Sequence, residues 1–174
     1  MAVTQQLARV PVEYLAACRR SAATSADGDP HWDPPSADVL DLDWAPPLLQ
    51  RVGDLAGLDS IRMDALRRAT DGDTAVDVGF LDTHPHEIGP FGPTPTALSA
   101  AQVADVAELL GRIDISALLA VLPADGRQAG SLIGHGADQI IGGPKEYLTK
   151  HFNALREFYF DAARQQLLIV LWCD

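Results

Sequence analysis

Asp82-Thr83-His84-Pro85-His86-Glu87 is the densest grouping of metal-ligating residue types in the 174-residue chain. A His-x-His pair on an extended segment can turn both imidazoles toward one ion, with Asp82 or Glu87 adding a carboxylate. A catalytic zinc needs three protein ligands and an open position. A further strong ligand would come from His31, His135, His151 or a remote aspartate. That arrangement would support metal-assisted hydrolysis. The competing reading is a surface loop whose histidines are solvated or bonded to nearby backbone. Gly89, Pro90, Gly92 and Pro93 bring few side chains to the outer shell that fixes a ligating imidazole. No tightly bound metal and no cofactor are therefore expected.

Other groupings are weaker still. Asp41-x-Asp43 and Asp71-Gly72-Asp73 resemble fragments of cation sites, but no glutamate follows at the calcium-loop position. Helix caps and turns account for both. Gly130-Ser131-Leu132-Ile133-Gly134 is not a nucleophile elbow, because the serine directly follows its glycine. Gly142-Gly143-Pro144-Lys145 reads as a helix start without the phosphate-binding loop. Trp44, beside Pro46-Pro47, reads as a core aromatic, with a surface anchor as the alternative.

Helices and strands along the chain follow from residue spacing. Thr4–Val10 alternates as a first strand, and Pro11 opens a helix carrying Val12, Leu15 and Ala16. Residues 24–35 read as a loop. Val39–Trp44 alternates like a strand, yet Pro46-Pro47 can open a helix through Leu55. Ser60–Thr70 is helical, with Ile61, Ala65, Leu66 and Ala69 on one face. Thr74–Leu81 reads as a strand with Val76, Val78 and Phe80 on one side. Four prolines between Asp82 and Thr96 exclude regular structure there. Ser99 and Gln102 form a capping box for a helix with Val103, Val106, Ala107 and Leu110 buried. Asp114 caps a short helix to Leu122, and a glycine-rich loop covers 126–143. Pro144 then opens a long helix with Leu148, Phe152, Leu155, Tyr159 and Ala162 in one stripe. Leu167–Trp172 is apolar on both faces, the pattern of a central strand covered on each side.

Those elements predict one compact α+β domain over residues 1–174. Its small mixed or antiparallel sheet has the C-terminal strand inside and several helices packed on it. The closing stretch, Tyr147 to Asp174, resembles the ending of the bacterial YfbM-like family, a domain family of unknown function. The likeness falls on Tyr147, Leu148, Phe152, Leu155, Arg156, Phe158, Tyr159, Ala162, Ala163 and Trp172. Leu40-Asp41-Leu42-Asp43 is similar to the family's L-D-L-D, and Gly92-Pro93 with Leu98-Ser99 to its G-P and L-T before a helix. The family's K-x-W-H-G-L is replaced by Trp44-Ala45-Pro46-Pro47-Leu48, so any family pocket there is altered. The resemblance implies a small α+β fold in a bacterial, intracellular protein and brings no activity.

Charge and composition bound the rest. Net charge is −11, and Asp27–Asp82 alone holds thirteen aspartates and four arginines, a net of −9. No basic patch is available for nucleic acid. The apolar run Leu167–Trp172 is far short of the ~20 residues of a membrane helix. Leu15-Ala16-Ala17-Cys18 imitates a lipoprotein box, but Gln5, Gln6, Arg9, Pro11 and Glu13 interrupt any hydrophobic leader. Cys18 and Cys173 are expected as free thiols of a cytoplasmic protein. The favoured function is a non-catalytic binding or regulatory module with an acidic contact surface for a basic protein partner, self-association being left open. Its candidate binding residues are Asp41, Asp43, Trp44, His84, His86 and Tyr147. The alternative is a metal-assisted hydrolase on Asp82, His84, His86 and Glu87.

Overall fold

A computed structural model describes residues 3–174; Met1 and Ala2, the start of the expected domain, lie outside the described residues. Leu168–Cys173 forms β4, and it lies inside a four-stranded sheet between β1 (Gln5–Val10) and β3 (Thr96–Leu98). β2 (Val39–Asp41) is added outside β1, giving the order β2-β1-β4-β3. Every pairing is antiparallel, with Leu7 opposite Leu171 and Leu98 opposite Ile169.

Period-two alternation explains why β4 is apolar throughout. Ile169 and Leu171 enter the main helical core, whereas Leu168 and Val170 enter a second core on the opposite face. That second core is closed by α1 (Val12–Thr24) through Leu15, and by Val78 and Leu81. The larger core belongs to α2 (Ala45–Leu55), α3 (Ser60–Asp71), α4 (Ala100–Gly111), α5 (Ile115–Leu119), α6 (Gly126–Ile133) and α7 (Pro144–Arg164). The expected stripe of α7 is buried along its whole length, and the Tyr159 hydroxyl donates to the Ala69 carbonyl at 3.0 Å. The capping box at Ser99 and Gln102 is formed in both directions.

The structure departs from four expectations. Thr74–Leu81 is not a strand; it is irregular backbone ending in a 3-10 turn at Gly79–Leu81. Asp73 accepts from the Ala75 N–H and Asp77 from the Gly79 N–H. These local turns divert the backbone from a ladder, while Val78 still reaches the core. Residues 126–143 are not one loop, because α6 occupies Gly126–Ile133 behind the Asp125 cap. The helix after Asp114 stops at Leu119 rather than Leu122. Ile61 faces solvent at 65% exposure; Met63 takes the buried position on α3. The two alternatives at Val39–Leu55 are both realised in succession, as β2 and then α2.

Candidate functional site

Asp41, Asp43, Trp44 and Tyr147 converge at the corner where β2 passes into α2. The turn is set locally: the Asp41 carboxylate accepts from the Asp43 N–H at 2.7 Å, and Asp43 adopts a left-handed φ of 52°. Aspartate tolerates that region because its short side chain bonds nearby backbone. Trp44 then precedes α2, where a polar side chain would normally cap the helix. Its own side chain makes no such bond. Tyr147, in the first turn of α7, satisfies the backbone there. Its hydroxyl accepts from the Trp44 N–H at 3.1 Å and donates to Asp43 Oδ2 at 3.0 Å.

Tyr147 is held in its neutral form. Burial first, then Asp43 and Asp41, push its pKa up to about 12 against the opposing pull of the Trp44 N–H. The ring lies 4.4 Å from that of His151, whose pKa is lowered by burial and by Lys150. Asp43, Trp44 and Tyr147 line a cavity of about 430 Å³, with Leu48 and Ile140 as apolar walls. An adjoining cavity of about 250 Å³ shares Asp43, Trp44, Leu48 and His135. Trp44 is 53% exposed and Ile141 fully exposed at this groove. Trp44 is thus a surface aromatic rather than core. No signal in the sequence places Ile140 or Ile141 here, and the sequence offers His135 only as a further metal ligand. What the arrangement offers chemically is a rigid carboxylate beside an accessible indole above an apolar floor.

The histidine loop is put together differently. His84 Nδ1 lies 3.4 Å from Glu87, while His86 Nε2 lies 3.4 Å from Asp27 and His86 Nδ1 4.0 Å from Asp29. Asp82, His84, His86 and Glu87 therefore do not form one cluster. Among the described residues, Asp27, Asp29 and His86 offer ligand atoms within 4.8 Å of one another. These three join the 25–33 loop to the 82–92 loop. Ser21 Oγ lies 2.5 Å from His31 Nδ1, which superficially suggests a nucleophile and base. The hydroxyl, however, donates to the Asp29 carbonyl at 2.9 Å, and His31 Nε2 is 3.7 Å from the Asp29 carboxylate, beyond hydrogen-bond reach. Asp71-Gly72-Asp73 ends α3 and builds turns, as expected. Among the described residues, no helix is long and apolar enough to cross a membrane.

The fold is α+β, as the resemblance in the closing segment implied. Among solved structures, the fold is similar to that of YfbM from Escherichia coli, a protein of unknown function. That match covers 97% of this chain and 98% of the other, with a TM-score of 0.50 and 16% sequence identity. At that identity the likeness speaks for the fold. No protein-family model and no curated protein matches the chain.

Proposed function

We propose that this chain is a non-catalytic cytoplasmic binding module whose partner is a protein with a basic surface, seated at the Asp43–Trp44–Tyr147 corner. The carrying observation is a half-exposed Trp44 in a groove whose carboxylate, Asp43, is already fixed by Tyr147. Ordering a contact group before association lowers the entropy that binding must overcome. Aromatic anchors of this kind dominate interface energetics.

Charge supports the same reading. The net charge is −11, and Asp41 and Asp43 make no ion pair among the described residues. Such a surface steers a basic partner by long-range attraction. The Tyr147 hydroxyl has its proton on Asp43 and its lone pair on the Trp44 N–H, which suits it to positioning rather than proton transfer. Free thiols at Cys18 and Cys173 fit a reducing compartment.

Site-specific photo-crosslinking in the native host tests this. A photoreactive residue at exposed Pro47, beside the groove, is compared with one at Leu132 on α6. The expected result is a stoichiometric crosslink from Pro47 to one basic protein, lost when Asp43→Asn and Trp44→Ala are combined. Equal labelling from both positions, or an acidic partner, would overturn the reading.

A further inference from the structure

The chain covers several of its aromatic rings with its own arginines. Arg9 lies 5.1 Å over Phe158, Arg19 5.0 Å over Phe80, Arg156 5.8 Å over Phe152 and Arg164 5.9 Å over Phe160. Trp44 is the ring type that attracts cations best, and more than half of it is exposed. Among the described residues no arginine or lysine lies over it. Phe91 is comparably exposed, but it lines neither of the two cavities beside Asp43.

Resting on that binding reading, we propose that this groove accepts an arginine side chain from a peptide segment of the partner. Tyr147 occupies Asp43 Oδ2, leaving Oδ1 without a partner among the described residues. Asp41 bonds the Asp43 N–H through Oδ1 alone. Each carboxylate thus keeps an oxygen for a cation, and no lysine or arginine lines either adjoining cavity. Leu48 and Ile140 supply an apolar wall for a methylene stem.

Arginine satisfies all three features at once. Its guanidinium is planar and weakly hydrated, so it stacks on an indole while its edge donates to a carboxylate. A lysine ammonium is a compact, strongly hydrated point charge and gives up one of these contacts. Two joined cavities also suit an extended segment better than a lone small cation. The occupant is a peptide carrying arginine.

Three immobilised pools of nonapeptides test it, randomised around a central arginine, lysine or citrulline. Citrulline keeps the planar shape and removes the charge. The expected outcome is retention on arginine about tenfold above citrulline, with lysine between them. Asp43→Asn keeps an oxygen to accept from Tyr147 yet should abolish the arginine preference. Trp44→Ala should do the same, and Trp44→Phe should keep part of it. A thermal melt of each variant confirms folding. Equal retention on lysine and arginine, or an unchanged preference in Asp43→Asn, overturns the proposal while leaving the binding reading intact. Retention on none of the pools also overturns it. The crosslinking experiment then decides separately whether the groove binds a partner at all.

Discussion

Tyr147 reaches across 104 positions to Asp43, and that reach explains why the site was legible only in part. Asp41, Asp43, Trp44 and Tyr147 each stood out by type or by family resemblance, but their meeting depends on α7 lying against the β2–α2 corner. Sequence proximity misled in the opposite direction at His84 and His86, which find different carboxylates because neighbouring positions on a loop share no fixed face. Removing the phenol oxygen by Tyr147→Phe orphans the Trp44 N–H and one Asp43 oxygen. Both are partly open to water, so the loss should be about 1 kcal/mol, or a melting point about 2–4 °C lower. The alkaline limb carries a second signature. With the folded pKa raised to about 12 from 10, stability is whole below pH 10 and falls as pH rises toward 12, because the unfolded chain loses its proton first. Urea unfolding at pH 9, 10 and 11 should show a shallower decline in Tyr147→Phe than in wild type. An identical decline would mean that the Tyr147 phenol is not held neutral by its burial and by Asp43. Tyr159, buried and raised further, continues the slope in both proteins.

In the helices and strands, strong periodicity was readable and glycine was not. The α7 stripe, the Ser99 box and the two-faced β4 run were fixed by spacing alone. α6 was hidden because Gly126, Gly130 and Gly134 look like a loop. Gly130 is there for packing rather than for chain freedom. A Cβ on it would lie 2.4 Å from the Asp138 backbone, so the 3-10 turn at Ala137–Gln139 can sit against the helix. A Cβ on Gly111, the last residue of α4, would meet nothing within 4 Å. The two glycines should therefore respond oppositely to alanine. Gly130→Ala should cost about 1–3 kcal/mol through overpacking. Gly111→Ala should be neutral or stabilising by about 0.5–1 kcal/mol, because alanine is the better helix former. Thermal melts of both variants check the pair, and similar shifts would contradict the packing role of Gly130. The departure at Thr74–Leu81 has a related origin. Apolar residues alternate there as in a strand, but aspartates at 73 and 77 offer the backbone a closer partner than a neighbouring strand.

The first and last strands meet in the middle of the sheet, with Gln5 opposite Cys173. Contacts so distant in sequence must form after a large loss of chain entropy, so cooperative stability rests on them. β4 bonds to β1 on one edge and to β3 on the other, and it sends side chains into both cores. Leu168, Ile169, Val170 and Leu171 are each at most 4% exposed. At about 1.5–3 kcal/mol for each side chain, deleting residues 168–174 removes about 6–12 kcal/mol of burial. That is comparable with the whole net stability of a domain, about 5–15 kcal/mol. It also leaves the edges of β1 and β3 unpaired. The truncated chain should be insoluble, or soluble without a cooperative melt. Ile169→Ala is the graded control: it opens a cavity in the main core at about 2–5 kcal/mol while keeping both ladders. It should stay folded with a clearly lower melting point, read by circular dichroism. A truncated chain that melts cooperatively at the wild-type temperature would show that the two cores close without β4, and β4 would then not be the strand on which the sheet depends.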